Sequence, residues 1–128
     1  MPNYKFNINP IAASRPRVSR HGHAYFSGPY KAFREIMDTD KWQFVEGVEP
    51  SAAPLAVRVG CYVTRPKTTK LQYPKPDVDN YAKAILDQLN EVLWEDDKQI
   101  IDLSITKQWA KPGEEGYFEV AIEEHHDD

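Results

Sequence analysis

The segment from residue 75 to residue 97 holds the side chains of this sequence that could do chemistry. It contains the run Lys-Pro-Asp-Val-Asp-Asn at positions 75–80, then Lys83, then Glu-Asp-Asp at positions 95–97. Carboxylates packed this densely repel one another unless a cation neutralises them, and a hard divalent metal ion suits oxygen ligands of this kind. The pattern therefore indicates a metal-dependent enzyme.

Each of these residues also has an ordinary structural explanation. Asp77 opens a predicted helix, where an N-cap is worth about 1 kcal/mol, and Asp79 in the first turn gains roughly a few tenths of a kcal/mol from the helix dipole. Lys83 lies on the same helix face as Asp79, and a surface ion pair between them would contribute only about 0.3–0.5 kcal/mol. The alternative role for Lys83 is an ammonium directed at a phosphate, where it stabilises developing charge. Asp96 and Asp97 add two adjacent negative charges to this set, and the acids taken together favour a metal site over separate structural roles.

The composition predicts one domain over residues 1–128, with a frayed acidic tail from about residue 124. Hydrophobic residues make up 41% of the 128, enough for one core. No apolar run approaches the roughly 20 residues of a membrane span, and the N-terminal residues lack the apolar block of a signal peptide. Cys61 is the single cysteine, which excludes an internal disulfide and agrees with a reducing compartment. We expect a soluble, cytoplasmic protein.

The formal net charge of −4 hides a strong polarity along the chain. Residues 1–76 carry 12 Lys or Arg and 5 Asp or Glu, a balance of +7, whereas residues 77–128 carry 4 and 15, a balance of −11. A basic surface beside a few carboxylates suits a protein that grips phosphates and holds a metal ion against one of them. A mixed surface with an acidic tail is the alternative.

The elements that would position these residues follow an α+β pattern. Alternation predicts strands, three- and four-residue apolar spacing predicts helices, and prolines mark the loops. The expected elements are a strand at 4–9, a basic hairpin or loop at 15–26, a helix at 29–42, a strand at 53–64, a basic proline-rich loop at 65–76, a helix at 77–93, and strands at 100–109 and 117–122. Their order is about ββαβαββ, which indicates a mixed β-sheet with two main helices.

The acidic motif resembles that of a known family. Lys-Pro-Asp-x-Asp-Asn, followed by Lys83 and by Asp-Asp-x-Gln-Ile at 96–100, is similar to the RusA family of Holliday junction resolvases, common in bacteria and their phages and prophages. The Arg-Pro-Arg run at 15–17, with Tyr25 and the helix after it, resembles the N-terminal part of the phage-type members. The likeness extends from about residue 7 to residue 122.

The resemblance implies a RusA-like fold and a homodimeric endonuclease that acts in homologous recombination and DNA repair. Such an enzyme uses Mg²⁺, or alternatively Mn²⁺, to nick two opposed strands of a four-way DNA junction symmetrically. The metal ion would polarise a phosphodiester oxygen and activate a bound water for in-line attack, leaving 5′-phosphate and 3′-hydroxyl ends. By motif position, the implied catalytic residues are Asp77, Asp79, Asp97 and Lys83. The three aspartates are the implied metal ligands, with Asp96 as an additional candidate. Asn80 is the implied DNA-binding residue near the cleaved phosphate.

Basic residues in three segments are candidates for binding DNA. They are Arg15, Arg17, Arg20, Lys31, Arg34, Arg65, Lys67 and Lys70. For part of this set, an ordinary solvated basic surface is the competing explanation.

A geometric question follows from the same spacing. A helix over residues 78–93 would be about 24 Å long, and the four extended residues after it would recover only about 13 Å. Asp97 could then not reach Asp79 within one subunit. Either the helix ends early, near Asn90, or Asp97 meets the partner subunit's Asp77 and the partner subunit's Asp79 across an antiparallel dimer contact.

Two further functions remain open at the level of sequence. A non-catalytic module that binds junction DNA could keep the basic surface and use the acids only for caps and turns. A metal-dependent nuclease with another branched-DNA substrate would share the chemistry but would not prefer four-way junctions. The complete set of acids with a lysine favours an active nuclease over the first, and the resemblance disfavours the second.

Overall fold

A computed structural model describes residues 2–26 and 28–125 of the chain. The fold is α+β, as predicted. Its elements are β1 (Asn3–Phe6), β2 (Arg17–Val18), β3 (Ala24–Tyr25), α1 (Gly28–Asp40), β4 (Leu55–Val63), α2 (Val78–Leu89), β5 (Ile100–Trp109) and β6 (Tyr117–Glu124), with 3₁₀ turns at Lys41–Phe44 and Asp97–Gln99. The basic segment before α1 is a hairpin of β2 and β3, so the chain has one short strand more than the predicted order.

The main sheet combines parallel and antiparallel pairing. Its strand order is β1-β6-β4-β5, in which β4 pairs in parallel with β5 and antiparallel with β6, and β6 pairs antiparallel with β1. Two parallel neighbours need a long crossover connection, and α2 provides it. The start of α2 therefore lies near the carboxyl ends of β4 and β5, whereas the residues that lead into β5 lie at the opposite end of the sheet.

The core lies between one face of this sheet and the two helices. Alternate residues of β4 from Leu55 to Val63 are buried, and they join a cluster that includes Phe33 and Met37 of α1 and Ile85 and Leu89 of α2. The other face of the sheet carries small and polar side chains together with the stacked rings of Tyr62 and Tyr117. Across the described residues, no helix is long and apolar enough to span a membrane.

Helix α2 ends four residues before the predicted boundary at Leu93. Asn90 leaves the helical conformation with ψ 135°, and Glu91 follows with φ 66°. The Asn90 carboxamide oxygen accepts a 2.8 Å hydrogen bond from the indole N–H of Trp94, which is fully buried. Val92 and Leu93 remain buried after the helix has ended, so the apolar spacing continued past the point where the backbone turns.

Strand β6 reaches the first residue of the predicted frayed tail. Glu124 belongs to β6 and pairs with Leu55 in the sheet. Its carboxylate accepts a 2.7 Å hydrogen bond from the Ser51 hydroxyl, and the next residue, His125, donates its backbone N–H to the carbonyl of Pro54. Residues 126–128 of the predicted tail lie outside the described residues.

Gly116 gives a test of the packing at the start of β6. Its N–H donates to the Thr64 hydroxyl at 2.7 Å, and an added Cβ would overlap the Asn9 carboxamide and lie 2.7 Å from the Tyr62 carbonyl oxygen. We expect Gly116→Ala to lower the free energy of unfolding by about 2–3 kcal/mol, measured by urea denaturation, because backbone atoms cannot yield as a flexible side chain can.

The control is Gly60→Ala, where the nearest atom to an added Cβ is a Tyr62 ring carbon at 3.4 Å. This substitution should leave the free energy of unfolding unchanged or raise it by up to about 1 kcal/mol, because alanine loses less backbone entropy on folding. Equal losses in the two variants would contradict the packing argument.

Candidate active site

Asp77 and Asp79 stand where the basic loop of residues 65–76 turns into α2. Asp77 occupies the N-cap position, with φ −68° and ψ 148°, but its carboxylate makes no capping hydrogen bond. Its backbone carbonyl instead accepts the N–H groups of Asn80 at 3.1 Å and Tyr81 at 3.3 Å. Asp79 is exposed in the first turn. Capping thus does not occupy the Asp77 side chain, and both carboxylates face solvent.

Lys83 lies one turn further along the exposed face of α2. Within residues 2–26 and 28–125 it forms no ion pair, so the surface pair with Asp79 is not made. Its side chain lines a groove between the N-terminal loop, α1 and α2, here named the α1–α2 groove. The residues that line it are Ala13, Ser14, Arg15, Pro16, Phe26, Tyr30, Asn80, Lys83 and Asp87.

A backbone hydrogen bond brings the N-terminal loop to this groove. The N–H of Ala13 donates to the carbonyl of Asn80 at 2.9 Å, and Arg15 follows two residues later. Arg15, Asn80 and Lys83, predicted from separate parts of the sequence, therefore share one groove. Asp87 is the acid among its lining residues, and Arg15 and Lys83 give the groove a positive balance.

Arg34 of α1 adds a third cation beside the groove. Its guanidinium stacks over the ring of Phe26, with 4.5 Å between the guanidinium carbon and the ring centroid, and lies 5.7 Å from the centroid of Tyr30. Burial raises the pKa of Tyr30, and the charge of Asp87 acts in the same direction, whereas Arg34 opposes the shift. The two aromatic rings hold the guanidinium in place, because cations are attracted to the faces of aromatic rings.

The remaining basic candidates lie on exposed surface. Arg17 and Arg20 belong to the β2–β3 hairpin, and Lys31 is 3.9 Å from Glu35 in a solvent-exposed pair. In the loop after β4, Arg65 and Lys67 line a shallow depression, and Lys70 is exposed near them in sequence. An exposed pair such as that of Lys31 contributes little to stability.

The 3₁₀ turn before β5 separates the roles of two neighbouring acids. The Asp96 carboxylate accepts the backbone N–H of Lys98 at 2.9 Å, and the Gln99 side-chain oxygen accepts the N–H of Asp96 at 2.8 Å, which together form a capping box. Asp96 therefore has a structural role in this turn. Desolvation raises the pKa of Asp97, and hydrogen bonding to Asp96 and the charges of Asp96 and Asp87 raise it further.

Gln99 fixes this turn to the rest of the protein. Its side-chain N–H groups donate to the carbonyls of Ser51 at 2.8 Å and Ala53 at 2.9 Å, in the loop that leads into β4. With the bond to Asp96, both ends of the amide have partners. The sequence identified Gln99 only as part of the motif, because no pattern in the neighbouring residues indicates hydrogen-bond partners more than forty positions away.

The structure does not bring the three predicted aspartates together within one chain. Asp79 is in the first turn of α2, whereas Asp97 interacts electrostatically with Asp87, eight residues and about 12 Å further along the helix. Among the residues that the structure describes, no group of three acidic, histidine or cysteine residues could hold a metal ion. The early end of α2, one of the two expected solutions, is thus not sufficient to join Asp97 to Asp77 and Asp79.

The Asp77 and Asp79 pair alone suits magnesium. Mg²⁺ usually keeps several water ligands and binds one or two carboxylates together with oxygens of a substrate phosphate. Two exposed carboxylates, two residues apart in sequence and next to the groove residue Asn80, are ligands of the kind that such an ion binds.

Comparison with known proteins identifies the family of this chain. The family model described as endodeoxyribonuclease RusA matches residues 7–123, which include both α2 and the turn before β5. The chain belongs to the RusA family. It is therefore an endodeoxyribonuclease of the Holliday junction resolvase class. A Bacillus subtilis (strain 168) protein, described as uncharacterized protein YqaN, is 32% identical over 94% of this chain and 95% of its own length.

Gln99→Glu tests whether the RusA motif glutamine holds the Asp97 turn. The new carboxylate would face two carbonyl oxygens without a proton to donate, so we expect the free energy of unfolding to fall by about 2–3 kcal/mol. Gln108→Glu is the matched control, because it adds the same charge to β5 at an exposed position. Thermal and urea unfolding at neutral pH would measure both, and equal stability of the two variants would remove the positioning role from Gln99.

Proposed function

We propose that this RusA family member is a Mg²⁺-dependent endonuclease that resolves four-way DNA junctions by paired, symmetric nicks. The observation that carries the proposal is the placement of two exposed carboxylates, Asp77 and Asp79, on the same helix as Lys83 and Asn80, beside a groove that also contains Arg15. A groove with this charge suits a phosphate backbone.

The side chains divide the chemistry among them. Asp77 and Asp79 would hold Mg²⁺, or Mn²⁺ in its place, and the ion when bound supplies a polarised phosphodiester oxygen and an activated water. Lys83, which has no carboxylate partner within the described residues, can direct its ammonium at the phosphate. Asn80 and Arg15 orient the strand in the groove.

We further propose that the partner subunit's Asp97 completes each metal site. Asp97 lies at the far end of α2 from Asp79, so a second copy in antiparallel orientation would bring the two together. Strand β5 is at the edge of the sheet, and its Ile101 and Leu103 are 61% and 40% exposed. An edge strand with exposed apolar side chains is a surface that another chain covers in many proteins.

A two-fold contact along β5 also fits the symmetry of the substrate. A two-fold axis places the beginning of one β5 opposite the end of the other, and therefore generates two equivalent sites. Two equivalent sites can nick two opposed strands. The exposed cations Arg17, Arg20, Lys31, Arg65, Lys67 and Lys70 would then contact the junction arms outside the α1–α2 groove.

Cleavage of a synthetic four-way junction tests the activity. Wild-type protein with Mg²⁺ should nick the junction symmetrically and leave linear duplex and flap DNA intact, and EDTA should abolish nicking. Asp79→Asn should lower the single-turnover rate about 100-fold or more, since a metal ligand contributes several kcal/mol to stabilising the transition state. Asp38→Asn, a matched substitution at an exposed position of α1, should nick like the wild type.

Two results would redirect this proposal. Tight junction binding without nicking in Mg²⁺ or Mn²⁺ would identify a non-catalytic binding module. Equal cleavage of flaps and four-way junctions would identify a nuclease with a broader branched-DNA substrate.

Mixed dimers test the shared site. In a heterodimer of an Asp79→Asn subunit with an Asp97→Asn subunit, a shared arrangement leaves one site with both aspartates intact and the other with neither. We expect such heterodimers, purified through two different affinity tags, to nick one strand per junction at about the wild-type rate per site, whereas each homodimer is inactive. Inactive verified heterodimers would show that Asp97 acts within its own subunit, and an active Asp97→Asn homodimer would show that Asp97 is not needed.

A further inference from the structure

Lys107 lies on the core-facing side of the edge strand β5. In the β4–β5 register it lies opposite Cys61, which is fully buried, and between Ile105 and Trp109 on the face of the strand that carries the core. Lys107 is half-buried. A hydrogen-bond partner stabilises an ammonium in such a position, because even partial desolvation of an unpaired charge is unfavourable.

Its partner is the backbone immediately before Asp77. The ammonium of Lys107 donates a 2.7 Å hydrogen bond to the carbonyl of Pro76, and it lies 5.3 Å from the ring centroid of Tyr73. The short distance is typical of charge-assisted hydrogen bonds. Within the described part of the chain, Lys107 forms no ion pair with a carboxylate, so its positive charge is directed at the loop that leads into α2.

A second side chain of the same strand holds the same loop. The indole N–H of Trp109 donates to the carbonyl of Leu71 at 3.0 Å. The loop carries three prolines, which lack an N–H and so cannot donate hydrogen bonds to fix their own peptides. Lys107 and Trp109 supply the donors from outside, and Lys107 acts at the peptide that determines the direction of Asp77.

We infer that Lys107 is a positioning residue for the metal site, which fixes the backbone at Pro76 so that the Asp77 and Asp79 carboxylates converge on one cation. This inference rests on the proposed function for its link to cleavage. It concerns the geometry of the ligands rather than a contact with DNA. Partners that orient metal ligands typically change metal affinity about 10- to 100-fold when they are removed.

The test compares Lys107→Met, which keeps the length of the side chain, with Lys107→Arg and with Lys111→Met, an exposed lysine in the turn after β5. In the DNA-free protein, Mn²⁺ titration is followed by paramagnetic broadening of the amide signals of Asp77, Asp79 and Asn80. We expect the Mn²⁺ dissociation constant of Lys107→Met to rise about 10- to 100-fold, with Lys107→Arg in between and Lys111→Met unchanged.

Two further measurements separate positioning from a general loss of structure or of DNA contact. The amides of Asn80 and Tyr81, which bond to the Asp77 carbonyl, should exchange faster with solvent in Lys107→Met while amides of β4 and β6 do not. The Mg²⁺ midpoint for nicking should shift upward, and junction affinity in Ca²⁺ should stay the same.

Unchanged Mn²⁺ affinity in Lys107→Met would overturn the inference, and so would a loss of junction affinity with no change in the Mg²⁺ midpoint, which would make Lys107 a DNA contact. If the wild type does not nick junctions at all, the proposed function fails, but the Mn²⁺ titration and amide exchange still decide the role of Lys107.

Discussion

The parallel pairing of β4 with β5 is the constraint on which the arrangement of the candidate site depends. Because both strands run in the same direction, the chain must return along α2 before it can enter β5. The acids before α2 and the acids before β5 are consequently placed at opposite ends of the same layer. No change of side-chain conformation at Asp97 could overcome a separation that the topology imposes. The division of the acidic motif into two parts is thus a property of the fold.

Strand β5 connects these two parts physically. At its beginning, Gln99 ties the Asp97 turn to the loop before β4, and near its end Lys107 and Trp109 hold the loop before Asp77. The strand pairs with β4 from Ile100 to Trp109. The Asp97 turn and the loop before Asp77 are therefore both attached to the same strand. The proline-rich loop has few backbone donors of its own, and these hydrogen bonds from β5 help to define its path.

Local patterns in the sequence predicted the elements well because they report local physics. The alternation from Leu55 to Val63 predicted β4, and the apolar spacing of Ile85 and Leu89 predicted the buried face of α2. The same spacing continued to Leu93 and gave a helix that was too long, because the bond between Asn90 and the Trp94 indole depends on burial that no local pattern reports. The sharing of one groove by Arg15 and Lys83 depends likewise on a contact between residues 13 and 80.

The motif identified the acids but did not show which of their carboxylates are available to bind a cation. Asp77 and Asp96 both occupy N-cap positions, yet only the Asp96 carboxylate is used by its cap. The distinction matters for the chemistry, because a carboxylate that accepts a backbone N–H has fewer lone pairs for a cation.

In the proposed dimer, each metal site would combine available carboxylates from two chains. A separate protomer would present only half of each ligand set, and Asp97, whose ionised form is disfavoured by desolvation and by neighbouring acids, would gain most from a shared cation. Metal binding and assembly would then stabilise one another, and cleavage would be coupled to formation of the proposed dimer.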